Sequence, residues 1–260
     1  MDLKPMNVGE IFDHSFKLFK AQFKSYLAIM AVGTVCLIGT VIIIAAAYFA
    51  GGPTPAIVSG VVFGVLLIAV NLAMAGALVM KISEQIFNRN ISLVEAFRYG
   101  FSRALSLFFG CLLMFFVCSI GFILLIIPGI YLATLGSFIL QVILIEGKGP
   151  GGAMMRSREL VKGYWWRTFG ILILLNILIS VLASVAALPL ALAGWGLSGD
   201  LNILQAVNNI VKLLMSFLLY PLSLIATTLL YYDLRIRKEH LDIQQMVDNL
   251  TAPNSGNLSG

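Results

Sequence analysis

Charged residues are missing from four long stretches of the chain: between Lys24 and Lys81, Arg103 and Glu146, Arg167 and Asp200, and Lys212 and Asp233. Each stretch is apolar without alternation of period two, which excludes the dyad pattern of a membrane barrel. A helix rises about 1.5 Å per residue and the hydrocarbon core of a bilayer is about 30 Å thick, so a span needs about 20 residues. The four gaps therefore hold two, two, one and one spans. Inside lipid the backbone must satisfy its own hydrogen bonds, which leaves helices. The pattern predicts an all-α polytopic membrane helix bundle with six transmembrane helices, at about 25–50, 56–80, 104–127, 130–146, 168–194 and 211–232.

Breakers place the reversals. Gly51, Gly52, Pro53, Thr54 and Pro55 form an uncharged run between the first two spans and predict a tight hairpin. Between the third and fourth, only Pro128 and Gly129 interrupt the apolar stretch. One helix over 104–145 would be about 60 Å long, twice the hydrocarbon thickness, so a reversal at Pro128–Gly129 is expected. Sixteen of the 17 Lys and Arg residues then fall on one side, with Lys212 the exception. Cytoplasmic loops concentrate Lys and Arg, so both termini are expected in the cytoplasm, in a bacterial cytoplasmic (inner) membrane.

The segments between spans are themselves patterned. From Val8, apolar Ile11, Phe12, Phe16, Phe19 and Phe23 follow helical spacing while Lys17, Lys20 and Lys24 share another face, and Asn7 and Glu10 stand at capping-box spacing. Ser92 and Glu95 open a second such segment through Phe97, Gly100 and Phe101, and Pro150–Arg167 makes a third. Amphipathic interfacial helices are thus predicted at about 8–24, 93–103 and 150–166, each feeding a hairpin. Residues 201–212 are also amphipathic and either lie in the outer interface or extend the last span.

Composition agrees with a membrane solvent: 60% of residues are hydrophobic and 11% charged, less than half the usual share of charge. The net charge of +5 comes from dispersed residues beside spans with no aromatic-basic RNA motif, so no nucleic acid is expected as a partner. Cys36, Cys111 and Cys118 all lie in spans, as small apolar residues rather than a disulfide framework. The polar lead before the first apolar run, and that run's length, predict a retained span and not a cleaved signal. Residues 1–250 read as one membrane domain and 251–260 as a disordered tail.

Polar residues inside spans are the default candidates for function in a membrane protein, and here they are Asn71, Gln141 and Asn176. The plainer role for such amides is to hydrogen-bond helices together, at about 0.6 kcal/mol each. No Asp, Glu, Arg or His lies deep in a span, which removes the usual parts of a proton relay. Gly60 and Gly64 form a GxxxG read as helix packing; Pro189 and Pro221 are read as kinks. His14 and His240 stand in no metal-ligand spacing, and no phosphate loop or GxSxG occurs, so neither enzymatic activity nor a cofactor is expected. Basic residues beside the spans, Lys17, Lys20, Lys24, Arg98, Arg103, Arg156, Lys162 and Arg167, are candidate contacts for anionic lipid.

Four strings together, Val8–Phe23 (VGEIFDHSFKLFKAQF), Ile126–Ala133 (IIPGIYLA), Glu146–Phe169 (EGKGPGGAMMRSRELVKGYWWRTF) and Pro221–Ile243 (PLSLIATTLLYYDLRIRKEHLDI), resemble stand-alone members of the glycerophosphoryl diester phosphodiesterase membrane-domain family. The likeness covers roughly residues 5–243, with IPGIY and LLYYDLRIRKE its most specific parts. It implies a membrane domain without an established catalytic role; the phosphodiesterase barrel that gives the family its name has no counterpart in this sequence. The expected function is non-catalytic, organising lipid or recruiting a protein partner at the membrane. The alternative is a transporter of lipid-like or apolar solutes, which would bring Asn71, Gln141 and Asn176 together on a cavity.

Overall fold

Gly52 alone separates the first two membrane helices, α2 (Phe23–Gly51) and α3 (Pro53–Ile86). Its backbone, at φ 78° and ψ −157°, suits a residue without Cβ, and Pro53 opens α3 where a missing N–H costs nothing. This computed structural model describes residues 5–87, 89–198 and 201–251, and among them every regular element is helical. α1 (Val8–Ala21) precedes α2, and α4 (Leu93–Leu124) follows α3. Next come α5 (Ile126–Leu135), α6 (Ile139–Gln141) running into a π turn at Val142–Glu146, α7 (Pro150–Val161), α8 (Trp165–Ser198) and α9 (Leu201–Thr251). The fold is an all-α bundle with six helices long and apolar enough to cross a membrane: Phe23–Gly51, Pro53–Ile86, Leu93–Leu124, Ile126–Glu146, Trp165–Pro189 and Leu214–Glu239.

Two expectations about helix ends change, and one open alternative is decided. The middle reversal falls at Leu125, extended at φ −168° and ψ 155°, and not at Pro128–Gly129. Pro128 sits in the first turn of α5, where its N–H would have no intrahelical acceptor. Gly129 packs on α4 instead, so close that a Cβ on Gly121 would lie 2.9 Å from its Cα. Residues 93–103 are not a separate interfacial helix but the first turns of α4, which is 32 residues and so about 48 Å long. No breaker stands between Arg103 and Ala104 to end it. α1 and α7 are separate: α1 ends at Gln22 (φ −125°, ψ 27°), and α7 ends before Lys162–Tyr164, where Gly163 has φ 92°. Residues 201–212 belong to α9, a single 51-residue helix about 77 Å long, so they extend the last span. The predicted tail falls, apart from Thr251, outside the described residues.

The fourth and sixth spans occupy the centre: half of the most apolar window of each is buried, against 17–22% for the other four. The densest packing lies at the charged end of the bundle, where Tyr26, Ile82, Ile86, Leu144, Leu160, Val161, Tyr231 and Leu234 are almost wholly buried. Away from it the helices turn apolar side chains outward, among them Ile42, Val61, Val65, Phe115 and Val185. So much contiguous exposed apolar surface is what a bilayer solvates and water does not.

Close approach of α3 and α4 depends on Gly76 and Gly100. A Cβ on Gly76 would lie 2.8 Å from Gly100 Cα, and one on Gly100 would run into the Ala73 carbonyl oxygen. The GxxxG pair does not have this role. A Cβ on Gly64 would meet nothing within 4 Å, and one on Gly60 would touch only Ile44 Cδ1 at 3.8 Å.

Candidate functional site

The string Tyr231-Tyr232-Asp233-Leu234-Arg235-Ile236-Arg237-Lys238-Glu239 ends the last apolar window, and as a helix it points successive polar groups in different directions. Tyr231, Tyr232, Asp233, Arg235, Arg237 and Glu239 each find a partner. Together they tie the segments between spans into a polar layer across one end of the bundle.

The first knot surrounds Asp233, which is fully buried. Its carboxylate accepts from Arg237 Nε on the same helix at 3.0 and 3.1 Å, from Arg167 Nη2 at the start of α8 at 2.9 Å, and from the Met6 N–H at 2.7 Å. Arg167 and Arg237 also donate to the Met6 carbonyl, at 2.7 and 3.1 Å. Two guanidinium groups and a backbone amide thus surround one carboxylate, the arrangement a buried charge needs. The chain just before α1 is held against α8 and α9 by the same contacts.

The second knot surrounds Glu146 at the end of the π turn. Its Oε1 accepts from Arg156 Nε of α7 at 3.1 Å and from the Tyr231 hydroxyl at 2.8 Å, and Lys148 lies 3.2 Å from Oε2. Arg156 continues to Glu239 at 3.3 Å, which also accepts from Arg235 Nε at 2.7 Å. Burial disfavours the charge on Arg156, but the hydrogen bond and charge of Glu146 outweigh it and hold the guanidinium pKa above its ordinary value.

Beside these knots the Tyr232 hydroxyl meets Ser83 Oγ at 2.7 Å, Tyr99 donates to the Leu144 carbonyl, and Tyr26 donates to Gln85. Between them lies a cleft of about 320 Å³, lined by Met80, Ser83, Glu84, Phe87, Arg89 and Arg235 among others. It stands where α3 ends, beside the Tyr232–Arg235 stretch of α9.

The fourth span is broken inside the bundle. Between α5 and α6 the Leu135 carbonyl and the Phe138 N–H are both freed, and the hydroxyl of Ser157 in α7 takes both, at 2.6 and 3.2 Å. Ser157 is fully buried. A broken helix of this kind exposes backbone to a ligand in some transporters; here a side chain occupies the break.

A wider groove of about 630 Å³ opens on the side of the bundle between α2, α3, α4, α6 and α9. Leu67, Ile68, Met74, Leu140 and Phe217 make it apolar, and Asn71, Ser216 and Tyr220 bring in polar atoms. Asn71 precedes Lys81 by about 15 Å of helix, half the hydrocarbon thickness.

The three intramembrane amides do not meet. Asn71 lines the groove but donates to Leu67 of its own helix at 2.8 Å, and Asn176, exposed on α8, donates to Leu172 at 2.8 Å. Gln141 is buried and donates to Thr227 Oγ1 of α9 at 3.2 Å. Among the candidate lipid contacts, Lys17, Lys20, Lys24, Arg98 and Lys162 are exposed. Arg103 is half-buried and reaches the Gly147 carbonyl at 3.5 Å, whereas Arg156 and Arg167 are engaged in the two knots. Among the described residues, no three His, Cys, Asp or Glu side chains come together.

Asp233, Glu146, Tyr231 and Ser157 are the structural centres that residue-by-residue reading passed over. Tyr231 and Asp233 stand in the LLYYDLRIRKE string, and Glu146 and Ser157 in the Glu146–Phe169 string, both read above for their likeness and not for their partners. Comparison of the chain with family models, curated proteins and solved structures found no match.

Proposed function

We propose that the chain is a non-catalytic multi-pass protein of the bacterial cytoplasmic membrane, with both termini cytoplasmic, whose bundle organises lipid. The observation that carries this is the apolar groove of about 630 Å³ on the flank of the bundle. Its size suits a small-molecule ligand, its lining suits an acyl chain, and Ile68 in its wall is itself one of the exposed apolar side chains. Exposed Lys17, Lys20, Lys24, Arg98 and Lys162 on the charged side add attraction to anionic lipid, about 1 kcal/mol for each residue at the surface. The resemblance to stand-alone phosphodiesterase membrane domains agrees with a non-catalytic role, since that membrane domain has no established catalytic role of its own.

Transport of a lipid-like solute is the rival reading, and it needs a path from the groove to the charged face. Against it stand the two ion-pair knots, Ser157 in the helix break, and the separation of Asn71, Gln141 and Asn176. The test is to purify the full chain in mild detergent and quantify bound phospholipid, beside Ile68→Trp, which narrows the groove from a half-exposed position in its wall. Retained lipid should fall in the variant while its melting temperature holds. Equal lipid in both forms, with Asn71-dependent flux of a fluorescent lipid in proteoliposomes, would replace this reading with transport.

A further inference from the structure

The cleft between the end of α3 and the Tyr232–Arg235 stretch of α9 carries both signs of charge. Glu84 in the last turn of α3 has a side chain only 17% exposed, and its nearest cation is Arg89 Nη1 at 4.0 Å, the outer limit of an ion pair. Arg89 is 74% exposed. Such a pair is worth little by itself, so both groups retain capacity for other partners. Across the cleft, Arg235 is anchored through Nε to Glu239 at 2.7 Å, and a guanidinium has N–H donors beyond that one. The Tyr232 and Tyr99 hydroxyls in the wall are bound to Ser83 and Leu144. Glu84, Arg89 and Arg235 are therefore the groups free to select a ligand.

We infer that this cleft binds a phosphoethanolamine-type headgroup, with the ammonium on Glu84 and the phosphate between Arg89 and Arg235. The inference rests on the lipid-organising reading and names the lipid class. Three arguments favour a ligand of both signs over a simple anion. Arg235 is already balanced by Glu239, so the positive charge left for a phosphate is modest. A lone anion would also lie against Glu84. Finally, α3 ends here, and the partial negative charge of a helix C-terminus favours a cation beside Glu84 and opposes an anion there. A primary ammonium donates hydrogen bonds to a carboxylate, and a quaternary one has no N–H to donate. The cleft should therefore prefer ethanolamine over choline. Met80, Leu144 and Ile145 supply an apolar floor for the glycerol end.

The test uses the full chain in nanodiscs of phosphatidylethanolamine, phosphatidylcholine and phosphatidylglycerol with identical acyl chains, followed by graded detergent washing and native mass spectrometry of the lipid held last. Phosphatidylethanolamine should be enriched about tenfold over phosphatidylcholine in that fraction, the size of one charge-assisted hydrogen bond. Glu84→Gln should abolish this enrichment without changing total bound lipid, and Arg89→Gln should lower retention of phosphatidylethanolamine. Retention without a headgroup preference, or a preference for phosphatidylglycerol, would overturn the inference and leave the lipid-organising reading standing. No retained lipid of any class would overturn both. Calorimetry with water-soluble phosphoethanolamine tests the other source: tight, Glu84-dependent binding with no lipid preference would overturn the assignment to a lipid.

Discussion

Asp233 and Arg167, 66 residues apart, meet at 2.9 Å at the charged end of the bundle, with the carboxylate wholly buried. Removing one member of a buried pair leaves an uncompensated charge and costs about 3–5 kcal/mol. Asp233→Ala strands two guanidinium groups and the Met6 N–H, so it should lower stability by that amount. Arg167→Ala should cost less, because Arg237 still faces Asp233. Thermal unfolding of the purified variants in detergent reads the order; an Asp233→Ala protein as stable as the parent would show that the knot is not structural.

Ser157 makes a second, independent prediction. Its hydroxyl satisfies a carbonyl and an amide released by the break in the fourth span. Ser157→Ala leaves both unpaired in a buried place and should cost about 1–3 kcal/mol. Ser157→Thr keeps the hydroxyl, but at a fully buried position it must find room for a methyl group. If α7 is held only by apolar packing, Ser157→Ala will melt with the parent, and amide exchange at Phe138 will not accelerate.

The six spans were legible because charge is so scarce: gaps between Lys24 and Lys81 or Lys212 and Asp233 are long enough to count helices by length alone. Local capping was legible too. The Asn7 N–H donates to Glu10 at 2.6 Å, and Ser92 and Glu95 exchange hydrogen bonds at 3.0 and 3.2 Å, as their spacing predicts. Partners distant in sequence were not. Arg237 follows Asp233 by one helical turn and could be read, but nothing in the spacing of Arg167 or Met6 points to the same carboxylate. Ser157 looked like one more polar residue on an amphipathic helix. Gly60 and Gly64 matched a motif whose use depends on which face meets a neighbour, and theirs meets almost nothing.

That contrast between glycines gives a third prediction. Gly100→Ala puts a methyl group into the Ala73 carbonyl, backbone that cannot yield as a flexible side chain would, so α3 and α4 must separate. Overpacking of this kind costs about 1–3 kcal/mol. Gly64→Ala meets open space and replaces a residue of poor helix propensity, so it should be neutral or slightly stabilising. Melting temperatures of the two variants should move in different directions, or only the first should move. A larger loss from Gly64→Ala would mean that α3 presents its Gly60–Gly64 face to a second protein in the membrane.

The orientation proposed for the bundle is the last point to test. Lys17, Lys20, Lys24, Lys81, Arg89, Arg98, Arg103, Lys148, Arg156, Arg158, Lys162, Arg167, Arg235, Arg237 and Lys238 lie in or beside the polar layer or the segments leading to it, and the tip at Gly52 carries no charge. The preference of Lys and Arg for the cytoplasmic side then puts Thr54 outside and Lys148 inside. With the three native cysteines replaced, Thr54→Cys should react with a membrane-impermeant maleimide in intact cells. Lys148→Cys should react only after permeabilisation. The reverse pattern would invert the bundle, placing both ion-pair knots and the Glu84 cleft against the outer leaflet. Labelling of both positions in intact cells would contradict the even number of spans between the N-terminal segment and Lys148.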